Sequence, residues 1–125
     1  MPDAETTVAR LRELVEDFVS RRAWHQFHTP KNLSMSLAIE AAELMEHFQW
    51  LTAEQSRAVV GEPEKLAEVC EELADVLCYA LAMANELKID LSAAIQAKLA
   101  KNEQKYPTEE YLGRFGPDDP NSAGR

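Results

Sequence analysis

The stretch that most limits the fold is EKLAEVCEELADVLCYALAMANEL, residues 64 to 87. Its spacing is that of one long helix. Leu73, Ala74, Val76, Leu77, Cys78, Ala80 and Leu81 occupy nearly all of its circumference. A helix that apolar belongs inside a bundle, covered by other helices. Yet Glu72 and Asp75 form a stripe along it, with Glu68 below and Tyr79 above. Asp and Glu are almost never fully buried unless they are paired or ligate a metal.

The rest of the chain is also helical in pattern. Residues 5 to 23 carry Val8, Leu11, Leu14 or Val15, Phe18 and Val19 at helical spacing. Pro30 in WHQFHTPKN is expected to break the pattern, with Asn32 as cap of a second helix over about 33 to 51. Thr52 and Gln55 have capping-box spacing for a short helix near 53 to 60. Gly61 and Pro63 end it and restart the long helix. Asp90 is placed to cap a further helix to about Tyr106. No strand pattern is present, so an all-α four-helix bundle is expected over 1–107. Residues 108–125 are expected to be a flexible tail, rich in Gly and Pro.

The chain's 125 residues suit one domain, and a core of this size is marginal without an oligomer. A net charge of −9 disfavours a nucleic-acid polymer or an anionic membrane as partner. It leaves room for a small anion whose charge a divalent metal offsets. No apolar run reaches the length of a membrane span, and the N-terminus lacks a signal-peptide core. Cys70 and Cys78 are eight residues apart on one helix, roughly 12 Å, too far for a disulfide. They are expected to be small buried thiols in a reducing, cytoplasmic setting.

A second acidic stripe lies in SLAIEAAELMEHFQW, Ser36 to Trp50. On a wheel, Glu43 falls about 60° and His47 about 20° from Glu40. Leu33, Leu37, Leu44, Phe48 and Leu51 flank this stripe on one side and Ile39 on the other, so it borders the apolar face. The pattern is thus E-x-x-E at Glu40 and Glu43, 28 intervening residues, then E-x-x-D at Glu72 and Asp75. Carboxylates three apart share a helix face, and two antiparallel helices can aim both pairs at one ion. Either pair alone is commonly a solvated face; two pairs in apolar surroundings point to a metal. All-oxygen ligation suits Mg²⁺ or Mn²⁺. A di-iron bundle would use Glu-x-x-His, and no Glu here has His three residues later.

With RAWHQFHTPKNL, EELADVLCYALAMA and KLAKNEQKYP, these residues resemble the all-α nucleoside triphosphate pyrophosphohydrolases of the MazG-like superfamily, closest to the dCTP pyrophosphatase branch. The resemblance runs from about Phe18 to Pro107. It departs at Lys105, where the family has Arg, which weakens a bidentate phosphate contact there. It implies cleavage between the α and β phosphates of an NTP, dCTP or a modified dCTP above all, to a monophosphate and pyrophosphate. It implies Glu40, Glu43, Glu72 and Asp75 as catalytic Mg²⁺ ligands, one of them activating water. Which one stays open. It further implies a homo-oligomer, dimer or tetramer.

The resemblance also names candidate substrate-binding residues, each with a bland alternative. Trp24 and Trp50 would line a base pocket, or form an aromatic lid over the core. His28 would reach the base or a phosphate, or be a surface histidine. Gln26 and Phe27 share that loop with less support. Tyr79 would touch the sugar, or be a core tyrosine. Lys98 and Asn102 share a face of the last helix and would meet the triphosphate, or be solvated. His47 is expected behind the ligands or at an interface. His25 carries no signal. Two competing readings stand beside the first: a hydrolase of broader NTP or dUTP specificity, and a non-catalytic helical protein-interaction module.

Overall fold

A computed structural model describes residues 1–115 of the chain. All regular structure among them is helical. A 3-10 turn at Asp3–Glu5 precedes α1, Val8–Arg21, and a second at Trp24–Gln26 precedes α2, Pro30–Glu46. Then come α3, Ala53–Ala58, a 3-10 turn at Val59–Gly61, α4, Pro63–Leu87, α5, Leu91–Lys105, and α6, Thr108–Tyr111. No helix among the described residues is long and apolar enough to cross a membrane.

The boundaries follow from local chemistry. Thr7, Thr29 and Asp90 cap α1, α2 and α5 by accepting from the backbone N–H three residues on. At α2 the expectation is corrected. Pro30 opens the helix at its first turn, where a missing N–H costs nothing, and Thr29 is the cap. Asn32 instead donates its side-chain amide to the Phe27 carbonyl at 3.0 Å. The capping box at Thr52 and Gln55 forms as its spacing predicts.

The chain divides into two compact units, Met1–Ile89 and a second that starts at Asp90. In the first, α4 packs against α2 and α1. His47, at the end of α2, lies beside Lys65 near the start of α4, while Glu40 meets Glu72, so the two helices run antiparallel. The α1–α4 contact is pinned where α4 ends. Arg12 donates to the Ala84 carbonyl at 3.0 Å, to the Asn85 side chain at 3.0 Å and to the Ile89 carbonyl. Asn85 returns a bond to the Arg12 carbonyl at 3.1 Å. The guanidinium thereby adds a cation and further donors where α4 ends and opposes the helix's negative dipole. In the second unit, Tyr106 meets Tyr111 edge to face at 5.2 Å.

The core within one chain is small. Val19, Leu33, Val59, Ala82 and Ala84 are its buried apolar residues, each large one contributing about 1.5–3 kcal/mol. Two expectations are corrected here. Helix α4 is not enclosed: Leu73 and Leu77 are 47% and 55% exposed. Cys70 and Cys78 are likewise exposed rather than buried. The physical reason is that α1 and α2 cover one side of α4 and leave the other apolar side bare. Of the expected tail, residues 108–111 form α6, and 116–125 lie outside the described residues.

Candidate active site

Helix α2 sets Glu40 and Glu43 one turn apart, and α4 does the same for Glu72 and Asp75. Antiparallel packing brings three of the four together. One oxygen from each of Glu40, Glu43 and Glu72 lies within 4.8 Å of the other two. Asp75 sits one turn from Glu72, close enough for its charge to act on Glu40. Among the described residues, none of the four is ion-paired to a Lys, Arg or His.

Such a cluster cannot be fully ionised at no cost. Burial, then hydrogen bonding to Glu43 and Glu72, then the charges of Glu43 and Asp75 push Glu40 up to about 7. Oε2 of Glu40 and Oε2 of Glu72 are buried with no hydrogen-bond partner. Orphaned carboxylate oxygens on facing helices are what a hard divalent cation would satisfy. The donor set, all oxygen, fits that ion.

The sign of the pH effect follows. Glu40 titrates higher in the folded chain than its ordinary 4.5, so its proton stabilises the metal-free fold fully below about 4.5. That contribution is lost as pH rises through about 7. A cation must displace the same proton, so its affinity weakens up to tenfold for each pH unit below 7. We expect the rise in Tm on adding Mg²⁺ to be small near pH 5.5 and to reach a plateau above about pH 8. A Mg²⁺-induced shift independent of pH across that span would rule out Glu40 as a ligand.

Beside the carboxylates lies a cavity of about 490 Å³ lined by Leu14, Val15, Phe18, Val19, Trp24, His28, Asp75, Cys78, Tyr79 and Ala82. Asp75 therefore lines the cavity while its charge reaches Glu40. Phe18 meets Trp24 edge to face at 5.7 Å, and His28 tilts against Trp24 at 6.2 Å. His28 Nδ1 is buried without a partner, a polar group left for a ligand. The Cys78 thiol is pushed up by partial burial and by Asp75, so it serves as a neutral wall rather than a thiolate.

The structure gathers some of the predicted residues and not others. Trp24, His28, Tyr79 and Asp75 share the cavity. Trp50, four residues past the end of α2, is 85% exposed and does not line it. His47 accepts from Lys65 at 3.0 Å, with Glu68 3.7 Å away. Lys98 and Asn102 lie on α5, in the second unit, Lys98 exposed and Asn102 half-buried. Phe27 is exposed, and Gln26 bonds the Ala23 carbonyl. Leu14, Val15, Phe18 and Val19 of α1 and Cys78 and Ala82 of α4 complete the cavity wall, and the only sequence signal for them is the apolar spacing of those two helices.

Comparison with known proteins gives the family of the chain. The MazG-like family matches residues 35–114, which include all four carboxylates.

This chain belongs to the MazG-like family.

It is 38% identical over 104 residues to dCTP pyrophosphatase 1 of Bos taurus, covering 83% of this chain and 62% of that one. It is 39% identical over 103 residues to dCTP pyrophosphatase 1 of Homo sapiens, covering 82% and 61%. The chain thus spans about three fifths of the length of these curated relatives. Its fold matches the crystal structure of a pyrophosphatase from Archaeoglobus fulgidus with a TM-score of 0.73 and 39% identity, over 86% of this chain and 98% of that one. The MazG-like fold expected from the motifs is the one found.

Proposed function

We propose that this MazG-like chain is a Mg²⁺-dependent nucleoside triphosphate pyrophosphohydrolase that converts dCTP or a modified dCTP to the monophosphate and pyrophosphate. The observation that carries this reading is the joining of the three-carboxylate cluster to the aromatic cavity through Asp75. The similarity to dCTP pyrophosphatase 1 of two mammals supports the choice of dCTP.

Glu40, Glu43, Glu72 and Asp75 would hold the ion. Bound there, Mg²⁺ neutralises phosphate charge, which an acidic protein of net charge −9 would otherwise repel. The protein's own side chains do the rest. Trp24 and Phe18 offer ring faces and edges to a base. His28 Nδ1, free of protein partners, is placed to bond a base edge. Tyr79, half-buried in the wall, is positioned for the sugar. One of the four carboxylates, ionised near neutrality, would orient the attacking water and take its proton. We further infer a cytoplasmic homo-oligomer, since α4 carries large apolar side chains that one chain leaves exposed.

A panel of common and modified nucleoside triphosphates, with pyrophosphate release followed with and without Mg²⁺, tests the assignment. dCTP or a 5-substituted dCTP should have the highest kcat/KM, and release should require the metal. Equal turnover of all bases would favour the broader hydrolase. Release from none, with no Mg²⁺–nucleotide rise in Tm, would favour the non-catalytic module.

A further inference from the structure

His25, silent in the sequence, is the hub of a polar cluster outside the carboxylate site. Its Nδ1 lies 2.6 Å from Oε1 of Glu86 at the end of α4. Its Nε2 lies 2.8 Å from Oε1 of Glu16 on α1. Ser20 completes the group, its Oγ 3.0 Å from Glu16 and 3.2 Å from His25 Nε2. Glu16 and Glu86 are the charged groups acting on the ring, one from each helix packed against it.

The connectivity Ser20–His25–Glu86 is that of a hydrolase triad, but the second carboxylate removes that chemistry. Glu16 takes the proton on Nε2 and also accepts from Ser20, so no lone pair is left to activate the hydroxyl. With a carboxylate oxygen within 2.8 Å of each ring nitrogen, both nitrogens can donate at once only when the ring is protonated.

What the clasp holds is the segment that builds one wall of the cavity. Trp24 precedes His25, and His28 follows within one turn, its N–H bonded to the Trp24 and His25 carbonyls. Both side chains line the cavity. The segment is entered through Ala23 at φ 52°, ψ 39°, a left-handed conformation that strains a residue with a Cβ. Such strain persists only where surrounding contacts enforce it. Gln26 bonds the Ala23 carbonyl from within the same turn. The contacts that anchor this turn to α1 and α4 at once are those of His25.

We propose that His25 is a positioning residue: its imidazolium, clasped between Glu16 and Glu86, fixes the Trp24–His28 wall, so that affinity for the base falls when the ring loses its proton. This rests on the nucleotide reading of the cavity. The bond to Glu86, with lesser help from Glu16, raises the pKa of His25 above its ordinary 6.5 against the opposing effect of burial. The clasp is therefore fully present below about 6.5 and is lost as pH rises through the higher, folded-state value.

Two readouts test it. With saturating Mg²⁺, KM for dCTP should rise about three- to tenfold between about pH 6.5 and pH 9, with the pH profile of kcat the same in parent and variants. His25→Lys keeps a cation up to about pH 10, so its KM should stay low across that range. His25→Gln should have a raised, flat KM. Independently of catalysis, Trp50→Phe leaves Trp24 as the sole tryptophan of the two in the chain. Its emission should shift in one step above about pH 6.5, and the step should vanish with His25→Gln or Glu86→Gln. A step that survives His25→Gln reports His28, which touches the same ring, and overturns the clasp. So would Lys and Gln variants that behave alike. If no nucleotide is hydrolysed, the enzymatic reading fails while the Trp24 titration still decides the clasp.

Discussion

Glu40→Ala and Asp75→Asn are each expected to lower kcat/KM for pyrophosphate release by about a thousandfold or more, some 4 kcal/mol of lost transition-state stabilisation. Glu40 stands at the centre of the acidic cluster, with a buried oxygen that no protein group satisfies. Asp75 joins that cluster to the cavity. Loss of folding is a separate outcome, and stability measurements tell the two apart. Without metal, the carboxylates repel one another, so Glu40→Ala should melt no lower than the parent at pH 8 and should lose the Mg²⁺-dependent rise in Tm. Asp75→Asn keeps shape and removes only charge, so its metal-free Tm should also hold. Full activity in either variant would remove these residues from the site. A lowered metal-free Tm would mean that they stabilise the fold rather than hold an ion.

The second large effect concerns assembly. Leu73 and Leu77 are one turn apart on α4 and roughly half exposed in the single chain. Ile39 on α2 is 58% exposed as well. Apolar exposure on this scale is unusual for a chain that works alone. The parent should sediment at no less than twice its 14.1 kDa chain mass. The double change Leu73→Asp with Leu77→Asp should sediment as a single chain. An unpaired carboxylate buried in an apolar interface costs several kcal/mol, more than burying each leucine contributes. The variant's Tm should fall and lose its dependence on protein concentration, because the partner no longer stabilises the fold. A parent that sediments at 14.1 kDa, or a double variant that still assembles, would mean that this face of α4 is not the interface.

Particular residues show how far sequence reached. The capping box at Thr52 and Gln55 and the cap at Asp90 were readable because they join residues three apart on one strand of chain. The same is true of each acidic pair, since i and i+3 share a helix face wherever the helix lies. A proline stops a helix already running, whereas Pro30 begins one, and only the Thr29 bond to the Asn32 N–H reveals which. Cys70 and Cys78 were read as buried because a wheel shows which side is apolar but not whether anything covers it.

The sequence by itself determined that the chain is helical, where most helices start, and that four carboxylates stand in two matched pairs. Local spacing carries all of this. Only the tertiary structure decided that Glu40, Glu43 and Glu72 converge while Asp75 turns toward a cavity, that Trp24 lines it and Trp50 does not, and that His25 ties Glu16 to Glu86. Those contacts join residues as many as 61 positions apart. They are set by how α1 and α2 pack on α4, and helix packing depends on the side chains of both partners together, which no single stretch of sequence contains.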